Sequence, residues 1–197
     1  MSRSPLNALL LAGGRSRRMC RDKATLTYGG QPQLERVAEL LAKHCIATYL
    51  SLRQGQNIPA GGPDVPTIED EFGEIGPLGG ILSAFSFKPK DPWLVVACDL
   101  PFLTEDTLKN LLHERDPEYP ATAYRSAHDG LPEPLCAIYE PSAFREILRF
   151  MEEEKEDCPR KILIQINTKL IDLVDQRALD NVNTPEEYKD AAAKLTV

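Results

Sequence analysis

The chain is poor in the residues that mark several common chemistries. It has three histidines (His44, His113 and His128), scattered along 197 residues, and a single tryptophan. No Gly-x-Ser-x-Gly elbow and no His-Glu-x-x-His motif occurs, so serine-hydrolase and zinc-hydrolase readings have no support. Five cysteines (Cys20, Cys45, Cys98, Cys136 and Cys158) are widely spaced, odd in number and without a Cys-x-x-Cys pair. That spacing argues against a zinc site and against a disulfide framework, and points to a reducing cytoplasm. Positive charge is not in excess: the net charge is −7, which disfavours broad nucleic-acid or anionic-membrane binding. No apolar run reaches membrane-spanning length. The run Leu6–Ala12 imitates a signal peptide only weakly, being short, without a good cleavage pair and followed at once by arginines.

What remains is the composition of an ordinary globular chain, 42% hydrophobic and 27% charged. Its length suits one domain with a proper core, and residues 1–197 are expected to form a single domain. Leu6–Ala12 reads as a buried strand. Gln33–Lys43 has helical apolar spacing, Ile46–Leu52 reads as a strand and Gln54–Pro63 as a loop. Pro66-Thr67-Ile68 is expected to be a short strand ending at Glu69, Asp70 and Glu71. Gly76-Pro77-Leu78-Gly79-Gly80 opens a helix through Phe87, with proline suited to its first position.

The continuous run Trp93–Cys98 predicts a central strand buried on both faces, ending at Asp99. A helix from Thr104 to about Glu114 follows, then strands at Ala121–Arg125 and Leu135–Tyr139. Next come a helix from Pro141 to about Glu154 and a late strand at Lys169–Val174. The charge run Glu152–Asp157 reads as a solvated helix end and loop. Thr184-Pro185-Glu186-Glu187 is a capping box that starts a last helix. Alternating strands and helices predict an α/β architecture with a mostly parallel central sheet. Ligands of such sheets bind at the carboxyl ends of the strands, where residues 13–23, Asp70 and Asp99 would sit.

The most informative stretch is Leu11-Ala12-Gly13-Gly14-Arg15-Ser16-Arg17-Arg18-Met19-Cys20-Arg21-Asp22-Lys23. A strand runs into paired glycines and then into five cationic side chains within nine residues (Arg15, Arg17, Arg18, Arg21 and Lys23). Oriented amides and counter-charges converging on one sheet edge suit a polyphosphate. The alternative is a solvated basic turn or a small nucleic-acid patch. The stretch matches neither the P-loop nor the three-glycine dinucleotide fingerprint. Asp99 closes a buried strand, as a Mg²⁺ ligand would, though an aspartate before Leu-Pro also suits a turn. Asp70 stands in an acidic cluster that surface solvation alone would explain. Asn181 and Asn183 precede a helix, where asparagine is a frequent cap.

Leu11-Ala12-Gly13-Gly14 with Ser16, Arg18-Met19 and Asp22-Lys23 resembles the motif of the molybdenum cofactor guanylyltransferases, within the nucleotidyltransferase superfamily. The likeness extends through Gly76-Pro77-Leu78-Gly79-Gly80, Cys98-Asp99-Leu100-Pro101 and Asn181-Val182-Asn183-Thr184-Pro185-Glu186, in family order over nearly the whole chain. It implies a three-layer Rossmann-like nucleotidyltransferase fold. It also implies transfer of GMP from GTP to the terminal phosphate of molybdenum-molybdopterin, giving the guanine dinucleotide form and pyrophosphate.

By this resemblance Arg18, Lys23 and Asp99 are catalytic, and Asp99 binds Mg²⁺. Leu11, Ala12, Gly13, Gly14, Lys23, Ser51, Asp70 and Asp99 bind the nucleotide, and Asn181 and Asn183 face the pterin. Two positions depart from the family: Ser51 stands where asparagine is frequent, and Cys20 where glycine is usual. GTP and molybdopterin are the implied partners, with room for transient contact with other cofactor-biosynthesis proteins or apo-molybdoenzymes, and without nucleic acid or membrane. The rivals are a cytidylyltransferase, a transferase acting on another phosphorylated acceptor, and a degenerate relative that binds nucleotide without turnover. Paired glycines after Ala12, where cytidylyl relatives often show Ala-Ala-Gly, favour the guanylyl branch.

Overall fold

Strands here are made by residues that bury both faces. In a computed structural model, β1 (Asn7–Leu11) and β6 (Trp93–Ala97) are buried at every position. Successive side chains of a strand point to opposite faces, so each strand feeds two cores. Ala8, Leu10, Leu94 and Val96 enter one core, whereas Leu9, Leu11, Trp93 and Val95 enter the other. The structure describes residues 5–12, 26–59, 61–73 and 75–195.

Seven strands form the main sheet, in the order β5-β4-β1-β6-β8-β7-β9. The remaining members are β4 (Ala47–Leu52), β5 (Thr67–Glu69), β7 (Ala121–Arg125), β8 (Pro132–Tyr139) and β9 (Lys169–Ile171). β1 pairs in parallel with β4 and β6, β4 with β5, and β7 with β9. Only β8 runs against its neighbours β6 and β7. The expected mostly parallel sheet is therefore present.

Helices cover both faces, making three layers. α1 (Gln33–Ala42) and α3 (Glu105–Glu114) close one core through Leu34, Val37, Leu41, Leu108 and Leu111. α2 (Pro77–Phe87), α4 (Pro141–Glu154) and α5 (Pro159–Gln165) close the other through Leu78, Ile81, Leu82, Phe85, Ile147, Ile162 and Leu163. α6 (Pro185–Leu195) packs instead on a small hairpin of β2 (Thr27–Tyr28) and β3 (Gln31–Pro32). There Leu26, Tyr28, Val182 and Ala191 form a third, smaller cluster.

Several expectations need adjusting. The late strand ends at Ile171 rather than Val174, its last pairing with β7 being Tyr124 to Ile171. Val174 is left 90% exposed. The strand expected at Leu135 begins at Pro132, paired there with Arg125. Ile46 lies outside β4 and is exposed. Helix α5 and the β2–β3 hairpin add to the expected elements, both being too short to show a period in sequence. The acidic run closes α4, with Lys155 in left-handed backbone just beyond Glu154.

Candidate active site

The carboxyl ends of β1, β4, β5 and β6 lie side by side. Parallel pairing sets Leu11 opposite Ser51 on one side and Ala97 on the other. The register is locked beyond the strands: the Ala12 amide donates to the Ser51 carbonyl at 3.2 Å, and the Cys98 amide to the Leu11 carbonyl at 3.1 Å. On the outer side, the Asp70 amide donates to the Leu52 carbonyl at 2.8 Å. Leu11, Ala12, Ser51, Asp70 and Asp99 thus share one edge, as their place in the sequence predicts.

Helix α2 is pressed onto this edge. Gly76 caps it with φ 66°, in the left-handed region that favours glycine, and Pro77 opens the first turn. The next two glycines serve close approach. A Cβ at Gly79 would overlap the Asp70 carboxylate, and one at Gly80 would overlap the Ser51 hydroxyl. Ser51 is accordingly buried beneath the helix, while Asp70 is half-buried.

The Phe72 amide donates to Asp70 Oδ1 at 2.9 Å. Burial raises the Asp70 pKa from its ordinary value, and the Phe72 hydrogen bond pulls it back in part. Ser83 fastens the strand end to the helix, accepting from the Glu71 amide at 2.9 Å and donating to the Gly79 carbonyl at 2.8 Å. Gly79→Ala should therefore invert the usual rule. Alanine ordinarily stabilises a helix interior by up to about 1 kcal/mol over glycine, but here overpacking should cost about 1–3 kcal/mol and displace Asp70. Thermal unfolding checks it: a raised melting temperature would show that Asp70 yields freely.

Asp99 follows β6 and is half-buried. Its carbonyl accepts from the Val182 amide at 3.1 Å, which draws the segment of Asn181 and Asn183 alongside it. The two asparagines bond each other, Asn183 Nδ2 donating to Asn181 Oδ1 at 2.9 Å. The capping box is formed: Glu187 Oε2 accepts from the amides of Asn183 and Thr184, and the Glu187 amide donates to Thr184 Oγ1. Capping and a place at the site are compatible, because the cap fixes the main chain while Val182 reaches Asp99.

Polar residues that the sequence pattern concealed support this edge. Gln33 and Arg36 of α1 reach the turn after Asp99, and Gln56 Nε2 donates to the Ala12 carbonyl at 3.4 Å. Burial pushes the Tyr28 pKa up, and the charges of Tyr188 and Asp99 add to the rise. Gln33, wholly buried among the apolar positions of α1, was the available signal. Gly13, Gly14, Arg18, Cys20 and Lys23 lie outside the described residues.

The donor set at Asp99 suits a hard cation. Among the described residues no group of three His, Cys, Asp or Glu could hold a metal unaided. One carboxylate oxygen fits Mg²⁺, which characteristically takes few protein ligands and completes its shell with phosphate and water.

Residues 8–169 match the family described as the MobA-like NTP transferase domain. The chain belongs to this family. A probable molybdenum cofactor guanylyltransferase from Clostridium perfringens is 31% identical over 207 residues, covering 97% of this chain and 98% of that protein. A molybdenum cofactor biosynthesis bifunctional protein from Synechocystis is 36% identical over 188 residues, covering 95% of this chain. This chain spans about half of that bifunctional protein, 54% of its length.

Among solved structures, molybdopterin-guanine dinucleotide biosynthesis protein A from Archaeoglobus fulgidus aligns with a TM-score of 0.78 at 23% identity. The alignment covers 96% of this chain and 98% of that one. A nucleotidyl transferase from Methanothermobacter gives 0.77 at 15% identity, over 97% of both chains. At these identities the likeness concerns the fold, which is the Rossmann-like nucleotidyltransferase fold. As a member of the MobA-like NTP transferase family, the chain is a nucleotidyltransferase.

Proposed function

We propose that this chain transfers GMP from GTP to the terminal phosphate of molybdenum-molybdopterin, with Mg²⁺. The observation that carries the reading is the bond from the Val182 amide to the Asp99 carbonyl. It sets the segment expected to face the acceptor beside the carboxylate expected to serve the nucleotide. Family membership and relatives named as molybdenum cofactor guanylyltransferases support the same assignment.

In the reaction, an oxygen of the acceptor phosphate bonds to the α-phosphorus of GTP as the bond to the β-phosphate oxygen breaks, and pyrophosphate leaves. The attacking group is already an anion, so no strong base is needed. The obstacle is two anions meeting in line, which positioning and charge neutralisation overcome. The segment Leu11, Ala12, Gly13 and Gly14 holds the nucleotide, with Ser51 and Asp70 on its base or ribose side. Lys23 and Arg18 offset charge on the α-phosphate and on the departing pyrophosphate.

Asp99 would hold Mg²⁺, which would supply positive charge against the phosphates and Lewis acidity at the reacting phosphorus. Asn181 and Asn183 orient the pterin. Residues 1–197 work as one nucleotidyltransferase domain in the cytoplasm, with transient contact to other cofactor-biosynthesis proteins or apo-molybdoenzymes, and without nucleic acid or membrane. No helix of the described residues is long and apolar enough to cross a membrane.

Calorimetric titration with GTP, CTP and ATP in the presence of Mg²⁺ tests the reading, followed by pyrophosphate release with the pterin acceptor. Selective GTP binding is expected. Preference for CTP would move the chain to a cytidylyl activity, and absence of nucleotide binding would overturn the reading.

A further inference from the structure

The turn after Asp99 has a structural cost that the fold meets in one place. Between β6 and α3 the backbone reverses at Leu100–Leu103, closed by the Leu103 amide donating to the Leu100 carbonyl at 3.3 Å. Leu100 and Leu103 are buried, so the carbonyls of this turn face protein rather than water and need donors. Helix α1 provides them. Arg36 Nη1 donates to the Leu103 carbonyl at 2.9 Å, and Arg36 Nη2 to the carbonyls of Leu100 at 3.1 Å and Pro101 at 2.9 Å.

Gln33, 1% exposed, donates from Nε2 to the Leu100 carbonyl at 3.0 Å. Its Oε1 accepts from Arg36 Nε at 2.9 Å, which orients the guanidinium. The Asp99 carbonyl itself is held by the Val182 amide, and just before it the Cys98 amide donates to the Leu11 carbonyl. The main chain that carries the Asp99 carboxylate is therefore held before, at and after that residue.

We infer that Arg36, oriented by Gln33, is a positioning residue that fixes the Asp99 carboxylate for its cation by clamping the turn Leu100–Leu103. The inference rests on the reading of Asp99 as the cation ligand. Only arginine suits the task, because its planar fork presents several N–H groups in fixed directions, whereas lysine offers a single flexible ammonium. The clamp acts through the backbone and touches no substrate. Groups that orient a metal ligand typically contribute about 10–100-fold to metal affinity or activity.

The test compares the full chain with Arg36→Lys, Gln33→Met and a distant control, Arg115→Lys. Arg115 forms a buried ion pair with Glu140, with Nε 2.6 Å from Oε1, at the opposite end of the sheet. Binding of Mn²⁺ in the presence of GTP is read by electron paramagnetic resonance, and hydrogen exchange is read at the amides of residues 98–103. GTP affinity is also measured without divalent cation.

Arg36→Lys should weaken Mn²⁺ binding by about 10–100-fold and speed exchange across the turn, with metal-free GTP affinity unchanged. Gln33→Met should shift both in the same direction by less, and keeps the test open should Arg36→Lys fold poorly. Arg115→Lys should lower the melting temperature without moving either. Unchanged Mn²⁺ affinity in both clamp variants, or an equal loss in the control, would overturn the inference. A wild-type chain with no GTP-dependent Mn²⁺ binding would instead refute the reading of Asp99 and this inference with it.

Discussion

Asp99→Ala should abolish GMP transfer while leaving the fold in place. The substitution removes a half-buried carboxylate at the end of β6. It leaves the main chain, so the Val182 amide keeps its acceptor in the residue 99 carbonyl, and the capped start of α6 keeps its place. The clamp from Arg36 reaches carbonyls beyond residue 99 and also survives. On the proposed reading, the loss that matters to turnover is that of the oxygen ligand expected to hold a cation against two approaching anions.

Removing one preorganised charge contact of this kind lowers the rate by about 10²–10³-fold, and loss of a metal ligand belongs at or beyond that upper end, about 4 kcal/mol of barrier. Pyrophosphate release measured against Mg²⁺ concentration, beside a thermal melt, checks it. A variant that melts like wild type and does not turn over is the expected result. Near-normal turnover would remove Asp99 from the chemistry.

Lys23→Ala should lower turnover by about 10²–10³-fold, with a smaller loss in GTP affinity. The attacking and departing groups are both anionic, and charge on the departing pyrophosphate grows as its bond to the α-phosphorus breaks. An ammonium at those oxygens, as proposed for Lys23, would be worth more in the transition state than in the ground state, which is the condition for raising kcat rather than binding alone. Lys23→Arg keeps the charge but changes its shape and reach, so a partial recovery separates the charge itself from the geometry of an ammonium. Single-turnover rates beside calorimetric GTP affinity distinguish the cases. Equal losses in rate and affinity would make Lys23 a binding residue, and wild-type rates would exclude it from the mechanism.

Much of the fold was legible because its elements are locally encoded. The run from Trp93 to Ala97 is apolar without interruption, which only a strand covered on both faces accommodates. Pro77, Pro141 and Pro185 each sit in the opening turn of a helix, where a missing amide hydrogen costs nothing. Thr104 accepts from the Thr107 amide at 3.2 Å, as a serine- or threonine-capped start requires. Strand ends were harder. β9 ends where its pairing with β7 ends, a fact about another strand. The hairpin at Thr27–Pro32 and the short α5 gain their stability from packing against α6 and the second core, with no period of their own to betray them.

The sequence by itself determined the α/β class and the strand-ending positions of Asp70 and Asp99, because each is a pattern among near neighbours. Only the tertiary structure decided why Gly79 and Gly80 must lack side chains, since the atoms that exclude a Cβ belong to Asp70, just past β5, and to Ser51 of β4. It alone joined Val182 to Asp99 and Arg36 to the turn at Leu100, contacts between residues 83 and 64 positions apart. The physical reason is the same in each case. A buried carbonyl accepts whichever donor the packing of the sheet and helices brings within 3 Å or so. Nothing in the residues beside it records which donor that will be.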